Sequence, residues 1–249
     1  MNKRVRRRGI FLLPNLFTTG CLFFGFMAVI SAIDGEFGRA AVAVLVAMVF
    51  DGLDGRVARL TGTQSDFGVQ YDSLADMVSF GLAPAAVAFL WALGNTGAGT
   101  PWDNVGWLVA FLFVAGAALR LARFNTQSGV DDKRHFQGLP SPAAAGAVVG
   151  LVWFGDRIGL TGLEAAIPVG VVVVLGAVLM VSNVRYESFK ELDFRYRVRF
   201  TSVVGLVLAM ALVAVHPPTA ICLGFLIYMF SGPVLTVLRL RRRRRHRRA

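Results

Sequence analysis

The chain has 249 residues, 55% of them hydrophobic, with a mean hydropathy of +0.61 and a formal net charge of +11. Its apolar residues come in long runs, which excludes an ordinary soluble domain and points to one membrane domain. The positive charge sits beside those runs, so membrane topology explains it and nucleic acid is not an expected partner.

Eight candidate spans follow one another: Leu16–Ile33, Phe37–Arg59, Phe67–Leu93, Val105–Arg123, Pro142–Phe154, Leu163–Ser182, Phe200–Val215 and Ala220–Leu238. The expected fold is an all-α polytopic membrane bundle over residues 16–238, with a basic segment 1–15 and an Arg-rich tail 239–249. Several runs fall short of the ~20 residues that usually cross a bilayer, Pro142–Phe154 above all. With a cytoplasmic N-terminus, 24 of the 26 Lys and Arg fall on the inner side and only Arg39 and Arg157 outside. That asymmetry supports an even span count and both termini in the cytoplasm. The expected location is the cell's inner membrane, with the carboxylate hairpin open to the cytoplasm.

The N-terminal run Asn2 to Arg8 is basic, but the apolar stretch after it is long for a signal peptide and lacks a small-x-small cleavage site. It reads as a retained span, with Ile10–Leu13 along the interface and Asn15 as the N-cap after Pro14. Cys21 and Cys222 lie inside spans and read as reduced packing residues. Asp34 and Glu36 belong to an external turn and read as solvated.

The second and third spans carry the densest chemistry. Asp51 and Asp54 are three apart, Asp72 and Asp76 four apart, so on helices each pair shares a face. The polar turn Thr61–Ser65 joins them, with Ser65 or Asp66 as the next cap and Gly68 on the face of Asp72. At ~1.5 Å per residue the two pairs reach matching depths in a helical hairpin, so four carboxylates can converge. Two unit charges ~4 Å apart repel by about 4 kcal/mol at an effective dielectric of 20. Divalent cations remove that cost, and hard oxygen ligands suit Mg²⁺ or Mn²⁺, two of which a shared cluster can hold. A carboxylate-lined pathway, as in a cation transporter, is the alternative of another class, and a membrane scaffold a third reading. Further along this span, Gly81 and Pro84 are expected to loosen or kink the helix.

Trp102 and Trp107 fit an aromatic belt. The fourth span ends in Arg120-Leu-Ala-Arg123-Phe-Asn125, with both arginines on one face. Either the two anchor the positive-inside end or one of them grips an anionic group. The segment Gly138-Leu-Pro-Ser141-Pro142 cannot continue a helix and is expected to leave backbone donors free. His135, His216 and His246 belong to no constellation, and Glu187 and Glu191 read as solvated. The arginine tail is expected to touch anionic lipid, at ~1 kcal/mol per basic residue.

The spacing D-x2-D-G-x2-A-R-x8-G-x3-D-x3-D, from Asp51 to Asp76, resembles the signature of the CDP-alcohol phosphotransferases, with no position departing from it. The resemblance implies an integral membrane enzyme that transfers a substituted phosphate from a CDP-alcohol and releases CMP. It implies metal ligation by Asp51, Asp54, Asp72 and Asp76, with Asp76 also a general base, and a nucleotide site at Gly55, Ala58, Arg59 and Gly68. The Pro14-Asn15-x-x-Thr18 stretch is similar to the family's N-terminal pattern and adds Asn15 and Thr18 to that site. The run Arg120 to Asn125, with Phe136-x-Gly-Leu-Pro-Ser141-Pro, resembles the phosphatidylserine synthases within the family. It implies CDP-diacylglycerol and L-serine as substrates and a homodimer. A serine carboxylate needs a fixed cationic donor, so the acceptor site is expected at Arg120, Arg123, Asn125 and Ser141, with one of the two arginines on the carboxylate. Direct in-line attack is favoured over a covalent phosphatidyl-enzyme. A member using glycerol 3-phosphate or an inositol is the nearest alternative.

Overall fold

The computed structural model describes residues 3–63, 65–94, 105–127, 136–186 and 213–246. It is all-helical apart from one short antiparallel pairing, Phe136–Gln137 with Arg185–Tyr186, in which Phe136 faces Tyr186. The helices are α1 (Lys3–Ile33), α2 (Phe37–Thr61), α3 (Asp66–Asp76), α4 (Ala83–Ala88), α5 (Gly106–Gln127), α6 (Ser141–Arg157), α7 (Gly162–Val181) and α8 (Pro217–His246). Between α3 and α4 lies a π-helical segment, Met77–Leu82, and after α4 a second, Phe89–Leu93, so Asp66–Leu93 is one continuous span.

Five helical stretches are long and apolar enough to cross a membrane: Leu13–Ile33, Asp66–Leu93, Gly106–Thr126, Gly162–Val181 and Pro217–Thr236. Two more of the expected spans form helices that miss that standard for different reasons. α2 has the length, at 25 residues, but carries Arg39, Asp51, Asp54, Arg56 and Arg59. α6 has only 17 residues, ~25 Å of helix. The expected span Phe200–Val215 lies outside the described residues except for its last turn. Trp102, His135, Glu187 and Glu191 also fall outside them.

The surface is that of a protein in lipid. On α1, Phe23 and Phe26 are 58% and 59% exposed, while Thr18, Cys21, Gly25, Ala28 and Ala32 are buried. Large side chains outside and small ones inside let helix backbones approach, which is the packing expected where lipid competes on equal terms with the core. α6 is the middle of the bundle, set against α2, α4, α7 and α8. Its Ala143–Gly146 run and Gly150 are buried all round, which a short helix of small residues permits. A Cβ on Gly150 would lie 3.1 Å from Cys222 Cα, and one on Gly146 within 2.7 Å of the Phe225 ring.

Several local expectations hold. α2 ends where Gly62 takes a left-handed conformation (φ 62°), and its N–H closes on Ala58 O. Ser65, not Asp66, caps α3 by accepting the Gly68 N–H at 3.1 Å. Asp66 stands in the first turn, where the helix dipole favours it. Beyond Asp76 the helix is loosened rather than broken. Pro84 has no N–H for the α-helical bond, and the Ala83 N–H instead reaches five residues back to Val78 O. Cys21 and Cys222 are buried free thiols.

Other expectations are corrected. Asn15 is not an N-cap, because α1 begins at Lys3 and runs through Pro14. A proline inside a helix removes one hydrogen bond, and here the flanking turns, including the Ile10–Leu13 run, continue across it. Two backbone donors of the Gly138–Pro142 turn are not free. The Gly138 N–H bonds Val184 O at 2.8 Å and the Leu139 N–H bonds Leu179 O at 3.0 Å, so the turn is clipped to the end of α7. Gly138 has φ 83°, and a Cβ there would sit 2.4 Å from Met180 O, so only glycine makes this clip. Glu36 is exposed but paired with Arg39 rather than simply solvated. The helix of the last span continues to His246, through most of the arginine tail.

Candidate active site

The hairpin of α2 and α3 brings its acids together at one end of the bundle. Asp51, Asp72 and Asp76 each present a carboxylate oxygen within 4.8 Å of the other two. Asp54 stands outside this trio. It is 5% exposed, and Thr18 Oγ1 on α1 donates to its Oδ2 at 2.9 Å. The hairpin therefore gathers three acids directly, and the fourth is held from the side by a neighbouring helix. Thr18, expected at the nucleotide, is itself 4% exposed and committed to this bond.

The trio fits a divalent cation. Its donors are hard oxygens, with no imidazole in the group, and they come from two helices. Asp76 Oδ1 is buried with no hydrogen-bond partner among the described residues. A buried carboxylate oxygen without a donor is costly, and a cation or a substrate proton relieves that cost.

The face that carries the residues expected at the nucleotide is open among the described residues. A Cβ on Gly55 would meet nothing within 4 Å, and Ala58 follows one turn later. Arg59 Nε donates to Gly55 O at 2.9 Å, folding its side chain back along α2. A Cβ on Gly68 would lie 3.7 Å from Asn15 Oδ1, so Asn15 of α1 faces the start of α3. Next to them Thr19 Oγ1 and Tyr71 OH are 2.9 Å apart, and Tyr71 stacks on Phe67.

The residues expected at the acceptor separate into inner and outer sets. Arg120 Nη1 donates to Ser141 Oγ at 2.8 Å, and Ser141 is fully buried at the first turn of α6. Arg120 Nε is buried without a partner among the described residues, and its charge acts on Asp76. Arg123 turns to the end of α7, donating to Asn183 Oδ1 at 2.8 Å and reaching Val181 O at 3.5 Å. Asn125 Nδ2 donates to Ser73 Oγ at 3.0 Å, which ties α5 to the residue beside Asp72.

Reading the sequence missed Ser73, Tyr71, Tyr228 and Ser79, whose hydroxyl donates to Cys21 O of α1 at 3.0 Å. Tyr228 comes from α8 and lies within electrostatic reach of Arg120. Nothing near it in sequence signals that proximity. Ser73 had a signal in its place beside Asp72, but it sits off the face the acids share.

The family model for CDP-alcohol phosphatidyltransferases matches residues 11–184, from the first helix to the end of α7. A Helicobacter pylori protein named CDP-diacylglycerol–serine O-phosphatidyltransferase is 38% identical over 224 residues, 90% of each chain. A Methanothermobacter thermautotrophicus protein named archaetidylserine synthase is 34% identical over 176 residues, 70% of this chain and 69% of that one. A Mycobacterium tuberculosis protein with the same name as the first is 37% identical over 155 residues, 59% of this chain and 51% of that one. With the acid hairpin in place and most of the chain covered, this protein belongs to the CDP-alcohol phosphatidyltransferase family.

Proposed function

We propose that this chain is a CDP-diacylglycerol–serine O-phosphatidyltransferase, which moves the phosphatidyl group from CDP-diacylglycerol to the hydroxyl of L-serine and releases CMP. The observation that carries the reading is the three-carboxylate cluster with two buried polar atoms, Asp76 Oδ1 and Arg120 Nε, that have no hydrogen-bond partner among the described residues. The names of relatives matched along 90% of the chain support the same substrates. A cation pathway is not favoured, since neither the family nor an Arg120–Ser141 pair beside the acids suits one.

Asp51, Asp72, Asp76 and Asp54 would hold two divalent ions, Mg²⁺ or Mn²⁺. When bound, these supply positive charge at the pyrophosphate and its leaving oxygen. The chain's own residues do the rest. Asn15, Gly55, Ala58, Arg59 and Gly68 receive the nucleotide, Gly55 by leaving room for it. Arg120 binds the serine carboxylate, with Ser141 fixing the guanidinium, and Asn125 holds α5 in register with α3. Asp76 takes the proton of the serine hydroxyl as its oxygen bonds to the phosphatidyl phosphorus and the bond to CMP breaks. Arg123 shapes the rim by anchoring the end of α7. Transfer is direct and in line.

The acid end faces the cytoplasm, in the inner membrane, with both termini on that side, eight spans in all, and the arginine tail against anionic lipid. The working unit is a homodimer. Tags at both termini should be reached only from the cytoplasm, and a periplasmic C-terminus would remove one span from the count. The decisive assay is CMP release from CDP-diacylglycerol with serine, glycerol 3-phosphate, inositol or no acceptor. Release that depends on serine is expected. Release that depends on another acceptor would replace the assigned substrate, and none with any acceptor would refute the transferase reading.

A further inference from the structure

Thr18 Oγ1 lies 2.9 Å from Asp54 Oδ2 and 3.1 Å from the carbonyl oxygen of Pro14. A threonine hydroxyl has one proton to give. Inside a helix the ordinary recipient is the carbonyl four residues back, here Pro14. A carboxylate is the stronger acceptor, and the shorter of the two distances runs to it. Asp54 is nearly buried and stands outside the cluster of Asp51, Asp72 and Asp76, so its orientation is not set by that cluster. The Gly55 backbone N–H also reaches the Asp54 carboxylate, and donors fixed on a carboxylate set its plane and leave the remaining lone pairs to a ligand.

The donor is itself fixed. Thr18, Cys21 and Gly25 lie on one buried stripe of α1. Ser79, three residues past Asp76, is fully buried and donates to Cys21 O at 3.0 Å. A Cβ on Gly25 would fall 2.7 Å from Ser79 Cα, so α1 and the metal-binding span meet backbone to backbone. The same stripe therefore touches Asp54 of α2 at one point and the turn after Asp76 at another. α1 can neither slide nor rotate without disturbing both acidic helices.

We propose that Thr18 is a positioning residue for divalent-metal binding, its hydroxyl orienting Asp54 as a ligand, and that it makes no nucleotide contact of its own. This rests on the metal reading above. Hydrogen-bond partners of metal ligands typically change affinity ten- to a hundredfold, which sets the scale of the test.

The full-length protein in detergent is titrated with Mn²⁺ without substrates, and free Mn²⁺ is read by electron paramagnetic resonance. The wild type should bind and Asp51→Asn should not. Thr18→Val should weaken Mn²⁺ binding by about ten- to a hundredfold, Thr18→Ser should restore it, and the CDP-diacylglycerol KM at saturating Mn²⁺ should be unchanged in both. Thr18→Ala takes the place of the valine variant if the latter does not fold, as judged by thermal melting. Wild-type Mn²⁺ affinity in a folded Thr18→Val, or Thr18→Ser as weak as valine, overturns the proposal. A raised CDP-diacylglycerol KM with normal Mn²⁺ binding would return Thr18 to the nucleotide site. A wild type that binds no Mn²⁺ would refute the metal reading itself, and the proposal with it.

Discussion

The inner end of α2 and the body of α6 both use glycine, for opposite ends. Around Gly52 and Gly55 nothing lies within 4 Å of where a Cβ would be. At Gly146 and Gly150 the same hypothetical atom meets Phe225 and the backbone of Cys222. In α6 the missing side chain lets two helices close, and a filled core results. In α2 it leaves a face uncovered beside four acids that would be costly in lipid. A helix with polar residues and open space on one side has room for a ligand there. A helix of equally small residues with no space is built to hold others in place.

The acids should give the widest separation between these two roles. Asp51→Asn, Asp72→Asn and Asp76→Asn should each lower CMP release by at least about a hundredfold, the scale of losing a preorganised electrostatic group. Insertion and yield should be unchanged, because removing a charge makes insertion easier. CMP assays on quantified membrane extracts measure both. Full activity in any one variant, or turnover that survives a chelator, would end the two-metal assignment.

The two arginines come next. Losing a charge-assisted hydrogen bond of ~1.5–3 kcal/mol should raise the serine KM of Arg120→Lys about ten- to a hundredfold, with little change in the CDP-diacylglycerol KM. Arg123→Lys should leave the serine KM near wild type, because Arg123 is bonded to Asn183 and Val181 O at the end of α7. Steady-state kinetics in both substrates would show it, and equal serine defects in the two would mean that the split between them is wrong.

The glycines give the smallest effects and the sharpest contrast. Gly150→Ala must push against the Cys222 backbone and should cost about 1–3 kcal/mol, read as a lower melting temperature with KM values unchanged. Gly55→Ala should stabilise the helix by up to ~1 kcal/mol while raising the CDP-diacylglycerol KM, since the methyl group enters the open face. A Gly55→Ala variant with wild-type KM would show that the open face is not where the nucleotide lies.

How much of this was legible in the sequence depends on the range of the interaction. The acid spacing, the hairpin turn at Gly62 and the Ser65 cap follow from helical periodicity and local turn chemistry, which neighbouring residues set among themselves. Lipid-spanning length and charge asymmetry are likewise sums along the chain. The start of α1 was misjudged because Pro14 has a local preference for helix starts that the turns on either side override.

What the tertiary structure alone decided is which of several equivalent residues points where. Arg120 and Arg123 share a helix face in sequence, yet one meets Ser141 beside Asp76 and the other meets Asn183. Asp54 is paired in spacing with Asp51, yet it is Asp54 that accepts from Thr18 of α1 and Asp51 that joins the trio. Tyr228 comes to Arg120 from the last helix, and the Gly138 and Leu139 donors are taken up by the end of α7. Each of these depends on the depth and rotation of one helix against another. Small-residue contacts such as Gly25 with Ser79 and Gly150 with Cys222 set those, and no local pattern carries them.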